Sequence, residues 1–248
     1  MVLLLLGCSD RAHEQSETPV PNVVRVDSSQ LMQRMAVLPP VTLPEKSELE
    51  WSCLQCGLHR IRDYDSTIVM RLLYSTENNF IGVDAYGSFD EGYLQPPYAA
   101  GLAKANAELQ KINPDLRLLV YDAVRPRRVQ QLMWDTVDLP PSEKGKFVSN
   151  PAKGSLHNYG AAVDVGIIDV QGKLLDMGTD WDDPSKLAYP RYEQVYLDSG
   201  LLSQQVIDNR KLLRRVMRKG GFWNIQTEWW HFNATRRDTA KKYLLIVE

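Results

Sequence analysis

The sequence predicts an α+β fold with a central, mainly antiparallel sheet flanked by helices. Three observations carry this reading. Short runs rich in β-branched and aromatic residues are mixed, in no regular order, with two long segments of helical apolar spacing. The connections between them are short, and the chain shows no internal repeat. Residues 66–74, "STIVMRLLY", read as the first strand. A helix follows within "PPYAAGLAKANAELQKINPD", with Leu102, Ala105, Leu109 and Ile112 at helical spacing, Pro97 just before it and Asn113-Pro114 at its end. Residues 116–123, "LRLLVYDA", read as a buried strand. The next helix opens at Pro126 and runs through "RRVQQLMWDTV". A further strand is expected over 160–170, with a turn and a second strand over 171–178. An amphipathic helix over 203–221 places Val206, Leu213, Val216 and Met217 on one face; basic residues fill its last turn and Gly220-Gly221 end it. Residues 222–232, "FWNIQTEWWHF", read as a strand that ends or bends within EWWH.

With 248 residues, 44% hydrophobic and 24% charged, the chain fits one domain with a tail. A net charge of −2 supplies no basic excess for phosphate backbones, so nucleic acid is not an expected partner. No apolar run is long enough to span a bilayer.

The N-terminus, "MVLLLLGCSD", is similar to a bacterial lipobox, with Leu5, Leu6 and Gly7 ahead of Cys8 as the lipid-modified residue. The tract Val2 to Leu6 is short for a signal core and has no basic residue before it. Either the assigned start falls too late or the match is chance. Residues 1–8 are thus read as a truncated lipoprotein signal. Residues 9–48, rich in Ser, Glu, Pro and Thr, read as a flexible tether, and 49–248 as the ordered catalytic body. Processing at Cys8 would attach the body to a membrane by lipid, in the periplasm or cell envelope; a chance match would leave it cytoplasmic. Cys53 and Cys56 form a lone CxxC, with no second pair to complete a zinc ribbon. In an oxidising compartment a short-loop disulfide is favoured over free thiols.

Two histidine stretches carry the chemistry. In "GSLHNYGAAVD", residues 154–164, a strand would put Asp164 on one face with Ala162 and Gly166, and Val163, Val165 and Ile167 on the other. A carboxylate in so apolar a strand needs a partner. Its small neighbours leave room for one, and Gly160 permits the bend that would return His157 toward it. In "EWWH" a fully extended chain would place Glu228 and His231 on opposite faces, so a bend between them is expected. His157, Asp164 and His231 then offer two nitrogens and one oxygen to a metal. A fourth position stays open, the pattern of a catalytic zinc site, and Glu228 is the general base.

Ser155, His157, Gly160, Ala162 and Asp164 match S-x-H-x-x-G-x-A-x-D, and Glu228, Trp230 and His231 match E-x-W-H downstream. Together they resemble the zinc D-Ala-D-Ala peptidase family, peptidase family M15. "YDAVRPRR" (121–128), "YSTENNFIG" (74–82), "MGTDWDD" (177–183) and the double tryptophan of "EWWH" are more similar to its VanX-type dipeptidase branch. The similarity runs from about residue 64 to 235. It implies a fold of the D-Ala-D-Ala peptidase and Hedgehog-like type, one zinc ion per chain, and D-Ala-D-Ala or a related dipeptide as substrate. It also implies roles. Arg125 would stabilise the negative charge of the tetrahedral intermediate, with Asp122 close enough in sequence to orient it. Ser155 would bind the substrate's C-terminal carboxylate, and Asp182, with Tyr74, its free ammonium; Asp180 and Asp183 compete with Asp182 for that role. Ala123-Val124 and Glu77-Asn78 replace the residues expected there, and both pairs are candidates to line the pocket. The implied activity is zinc-dependent dipeptide hydrolysis in wall turnover or remodelling. The alternatives are a carboxypeptidase or endopeptidase acting on longer wall peptides, and a non-catalytic zinc-containing peptidoglycan-binding lipoprotein.

Overall fold

A computed structural model describes residues 46–145 and 148–248. The lipobox with Cys8 and nearly all of the expected tether lie outside the described residues. The described body opens with helix α1, Lys46–Gln55, three residues ahead of the expected start at residue 49.

Three two-residue strands come early: β1 (His59–Arg60), β2 (Val69–Met70) and β3 (Tyr93–Leu94). They precede helix α2, Pro96–Ile112, and strand β4, Leu116–Asp122. Helices α3 (Arg127–Thr136) and α4 (Pro141–Lys144) lead toward strand β5, Ala162–Asp169. Helices α5 (Glu193–Asp198) and α6 (Gln204–Lys219) then precede strands β6 (Trp223–Asn224) and β7 (His231–Asn233), and α7 (Arg237–Tyr243) follows. The main sheet has the order β2-β4-β5-β7-β6, antiparallel except for the β2–β4 pair. β1 and β3 form a separate antiparallel pair. This is the expected α+β class.

The sheet's apolar face anchors the core. Val163, Val165 and Ile167 of β5 share one buried cluster with Leu102, Ala105 and Leu109 of α2 and Leu213, Val216 and Met217 of α6. The two helices pack at glycines: a Cβ on Gly101 would run into the carbonyl of Gly220, and one on Gly220 into that of Gly101. Ile112, read as part of the apolar stripe, sits at the last position of α2 and is exposed.

Two strand readings are corrected. Only Val69–Met70 of 66–74 pairs as strand; the chain then turns through a 3-10 segment at Leu73–Ser75 that buries Tyr74. The strand expected over 171–178 reduces to a single bridge between Ile168 and Leu174, since Leu174 is exposed and has no core to reach. The expected disulfide is absent: Cys53 is a buried thiol, and the Cys56 thiol donates to the Ile246 carbonyl at 3.5 Å. Burial pushes the Cys53 thiol's pKa up, which suits a core residue and not a nucleophile.

Candidate active site

Three adjacent strands supply the floor of the site. Asp164 of β5 lies opposite Asp122 of β4 on one side and His231 of β7 on the other. A β-bulge makes this row possible. The β4–β5 register shifts by one residue between Val120 and Asp122. Without the shift Asp122 would lie opposite Val163, on the core face; with it, Asp122 joins the face of Asp164. Tyr121 lies against Gly166, where any Cβ would collide with its ring.

His157 comes from the turn before β5. Ser155 caps that 3-10 turn, Leu156–Tyr159: its Oγ accepts from the His157 N–H, and the Asn158 side chain returns the bond to the Ser155 N–H. Gly160 ends the turn at φ 59°, in the left-handed region, and its missing Cβ leaves space for Leu58. The turn is tied to Arg125. The Arg125 N–H donates to the His157 carbonyl (3.1 Å), and Asn158 Nδ2 to the Arg125 carbonyl (2.7 Å).

The two imidazoles are oriented from behind. His157 Nδ1 donates to the Ala123 carbonyl at 2.6 Å, leaving the Nε2 lone pair facing the site. His231 Nε2 donates to Asn233 Oδ1 at 2.9 Å, leaving its Nδ1 lone pair facing the same point. His157 Nε2 and His231 Nδ1 are 3.1 Å apart, and each approaches Asp164 Oδ1, at 3.4 and 2.9 Å. One donor atom from each of the three residues lies within 4.8 Å of the others. Two nitrogen lone pairs and a carboxylate oxygen facing one another repel unless a cation sits among them, so this donor set fits a divalent metal with nitrogen and oxygen preference. Without the ion, a proton takes its place: burial opposes both charges, but bonding to Asp164 lifts the His231 pKa to about 9, and the positive charge this puts on the imidazoles holds the Asp164 pKa well below the usual carboxylate range.

The chain bends within EWWH as expected. Glu228 Oε2 comes to 3.9 Å from His231 Nδ1. Its side chain keeps 31% of its surface exposed, at the opening of the site. Burial of the carboxyl by the surrounding protein raises its pKa, which suits a general base.

Arg125 is buried and held on three sides. Its Nε and one terminal nitrogen reach Asp122 Oδ2 at 2.8 and 2.6 Å, and another reaches Gln130 Oε1 at 3.1 Å. Its guanidinium also lies 3.5 Å from Asp164 Oδ2 and 5.1 Å over the Tyr74 ring. Asp122 is 0% exposed and takes a further bond from the Tyr86 hydroxyl at 2.7 Å. Asp122 thus holds Arg125, as its place in the sequence suggests, and does not face the opening.

Asp182 lies at the other end of the site. Its Oδ2 accepts from the Tyr74 hydroxyl at 3.2 Å. Among the described residues it is the non-glycine residue with left-handed φ, 67°. Burial is the main cause that lifts its pKa to about 7; Arg125 opposes the rise, while Asp164 and Glu228 add to it. Trp181 stacks on Tyr121 (5.9 Å) and meets Tyr74 edge-on (5.2 Å), closing this end with aromatic rings. Ala123 and Val124 are both buried, and the Ala123 carbonyl holds His157. Glu77 and Asn78 are exposed.

Sequence reasoning does not single out Tyr86, Gln130, Trp181 or Asn233. Asn233 has a signal: it stands two residues after His231, on the same side of an extended strand. Tyr86 and Gln130 have none, since only the tertiary fold brings them to Asp122 and Arg125.

Residues 55–247 match the family model of peptidase M15, described as D-Ala-D-Ala dipeptidase. The chain belongs to the peptidase M15 family. Similarity to that family therefore begins ahead of residue 64 and takes in Cys56. The chain is 33% identical to the D-alanyl-D-alanine dipeptidase of Escherichia coli over 54% of its own length and 61% of that protein's. It thus spans about three fifths of that relative. The dipeptidase of the same name from Synechocystis is 29% identical over 57% of this chain and 69% of its own. That of Enterococcus faecalis is 24% identical over 64% of this chain and 82% of its own. A solved LD-carboxypeptidase, LdcB, aligns over 60% of this chain and 63% of its own at 18% identity and a TM-score of 0.38, too weak a likeness to bear on the M15 site.

Proposed function

We propose that this chain is a zinc-dependent dipeptidase that hydrolyses D-Ala-D-Ala or a closely related dipeptide in wall-peptide turnover. The observation that carries the reading is the cluster of His157, Asp164 and His231, with Glu228 Oε2 3.9 Å from His231 Nδ1. His157 through Nε2, Asp164 through Oδ1 and His231 through Nδ1 would hold the ion. When bound, zinc supplies Lewis acidity, which polarises the scissile carbonyl and makes a water easier to deprotonate. Glu228, its pKa raised by burial, takes the proton from the attacking water and passes it to the leaving amine. Arg125 keeps its charge at any working pH and places it beside the oxygen that turns negative as the carbonyl is attacked. Asp122, Gln130 and Tyr86 keep that guanidinium from turning away. Ser155 uses Oγ as an acceptor in the His157 turn, which leaves its O–H to donate to a substrate carboxylate.

Asp182 with Tyr74 takes the free ammonium, and this separates a dipeptidase from a carboxypeptidase on longer wall peptides. The position of Asp182, walled by Trp181, Tyr74 and Tyr121, supports a closed amino end. An envelope location with Cys8 as the lipid-bearing residue belongs to the same proposal; no described helix is long and apolar enough to cross a membrane. The deciding experiment compares D-Ala-D-Ala with its N-acetylated form on the zinc-loaded protein, by released D-alanine. Cleavage of the free dipeptide alone is expected. Equal cleavage of both would replace the dipeptidase by a wall-peptide carboxypeptidase.

A further inference from the structure

A segment that the chemistry above does not use, "LLIVE" at residues 244–248, follows α7. It sets out extended from Leu244, with φ −118° and ψ 150°. Its side chains go to two places. Leu244 and Ile246 pack on a small cluster of Leu156, Tyr159, Ala161, Ala162 and Ala240, and so lie against the turn that carries His157. Val247 is fully buried in the main core, while Leu245 faces solvent.

The main chain of Val247 joins two parts of the site. Its N–H donates to the Asn158 carbonyl at 2.8 Å, and its carbonyl accepts from the Arg127 N–H at 2.8 Å. Both partners need such a bond. Asn158 is fully buried, so its carbonyl cannot turn to water. Arg127 opens α3, and the first N–H groups of a helix have no acceptor within it. Side chains reinforce the join: the Arg127 guanidinium grips the Glu248 carboxylate through Nε, at 2.8 Å, and through a terminal nitrogen.

Both ends of this bridge adjoin reacting groups. Asn158 follows His157 and donates through its side chain to the Arg125 carbonyl, and Arg127 stands two residues after Arg125. Hydrogen bonds and chain therefore close a ring through Arg125, Arg127, Val247 and Asn158. The ring fixes the spacing of two short segments, one bearing the guanidinium and the other the imidazole. Neither has a ladder of its own: Arg125 lies in the connection from β4 to α3, and His157 in a single 3-10 turn.

We infer that Val247 is a positioning residue, and that residues 244–248 are a strap that sets Arg125 against His157. The inference rests on the dipeptidase reading, in which Arg125 meets the developing negative charge and His157 holds the ion. Val247 acts through these two residues and is no part of the catalytic set.

The test removes one bond of the bridge and keeps the helix. Arg127 is the first helical residue, where proline is well tolerated, and Pro126 before it already has the extended ψ, 146°, that a following proline requires. Arg127→Pro deletes the N–H that reaches Val247. It also deletes the pair with Glu248, so Arg127→Ala, which keeps the N–H, is the comparison; that pair is exposed and should matter little. Val247→Ala is the second control, since it loses core packing and keeps both main-chain bonds. Each is made in the full chain. The readouts are D-Ala-D-Ala turnover by the zinc-loaded protein, zinc affinity by chelator competition, and thermal melting.

Arg127→Pro is expected to lower kcat about 10- to 100-fold with KM little changed, as for a displaced transition-state group, and to weaken zinc binding about 10-fold. Arg127→Ala should match wild type in both, and Val247→Ala should melt earlier with kcat and zinc affinity kept. An Arg127→Pro protein indistinguishable from Arg127→Ala overturns the strap. So does a Val247→Ala protein with the same losses as Arg127→Pro, because lowered stability alone would then explain them. If Arg127→Pro melts too low to assay, hydrogen exchange on wild type decides. Zinc should slow exchange at the Arg127 and Val247 amides more than at those of α6, and an equal effect overturns the strap. A wild type that binds zinc but is inert on the dipeptide overturns the dipeptidase reading, and the zinc-affinity comparison then decides the strap by itself. A wild type that binds no zinc overturns both.

Discussion

Replacing Asp182 by asparagine should stabilise the metal-free protein, and more so in alkali than in acid. Two features of the structure give this. The backbone at Asp182 is left-handed, φ 67°, a conformation open to asparagine as it is to aspartate, so the substitution adds no backbone strain. The gain comes from linkage. In the unfolded chain the carboxyl loses its proton near its ordinary 3.8; in the fold burial keeps it protonated up to about 7. Between those values the folded state binds more protons than the unfolded state. Wild-type stability therefore falls as pH rises through that window, and stays at its lowest above 7. From pH 5 to pH 8 the protein crosses about two pH units of the window, at most about 2.7 kcal/mol at 1.36 kcal/mol per unit. Asp182 is only partly shielded from solvent, so we expect about 1–2 kcal/mol. The asparagine variant has no proton to lose at this position, and the other titrating groups are common to both proteins. Urea unfolding of wild type and Asp182→Asn, with a chelator present, at pH 5 and pH 8 reads the difference directly. A stability difference identical at the two pH values would refute the reasoning, because it would mean that Asp182 is already ionised in the fold. The same variant should lose affinity for a free amine, since a neutral amide cannot pair with an ammonium.

Three further outcomes follow from the geometry. Glu228→Gln should lower kcat by about 10²- to 10⁴-fold while zinc, measured by atomic absorption after gel filtration, stays bound, because in the proposed mechanism Glu228 moves a proton and is not among the ligands. Asn233→Leu removes the acceptor that sets the His231 tautomer and should weaken metal affinity about 10- to 100-fold in chelator competition; unchanged affinity would mean that the 2.9 Å bond does not matter. Asp122→Asn leaves the buried Arg125 charge with poorer partners and should cost about 3 kcal/mol in denaturant unfolding as well as turnover, so full stability in this variant would contradict the orienting role.

The parts of the fold legible in the sequence are those whose signal is local. Helices α2 and α6 follow from apolar residues at helical spacing, and β4 and β5 from continuous apolar runs. The bend in EWWH follows from the length of an extended chain: Glu228 and His231 cannot otherwise act on one atom. Residues 66–74 mislead because Leu72 and Tyr74 are apolar for a tertiary reason. They bury into the core beside the site, and past Arg71, whose N–H still reaches the Val120 carbonyl, the chain leaves β4 and turns into the 3-10 segment. Residues 171–178 mislead for the opposite reason. Gly172, at φ 86°, makes the turn of a hairpin, but the arm beyond it buries too little to extend the ladder.

The site divides along the same line. His157, Asp164, Glu228 and His231 are legible because each carries chemistry that its apolar surroundings do not explain. The row that joins Asp122 to Asp164 and His231 is not, because it depends on one extra residue in β4 that no residue type announces. That bulge has a consequence for rigidity. It places Asp122 beneath Arg125, and Arg125 is joined by main-chain bonds to the turn that carries His157. His157, in turn, leans on the Ala123 carbonyl one residue past Asp122, and His231 on Asn233 within its own strand. His157, Asp164, His231, Arg125 and the sheet are thus one hydrogen-bonded unit. On the proposed function little ordering would be left to do on metal binding, and a change at Asp122, which would touch neither metal nor substrate, should be felt at both.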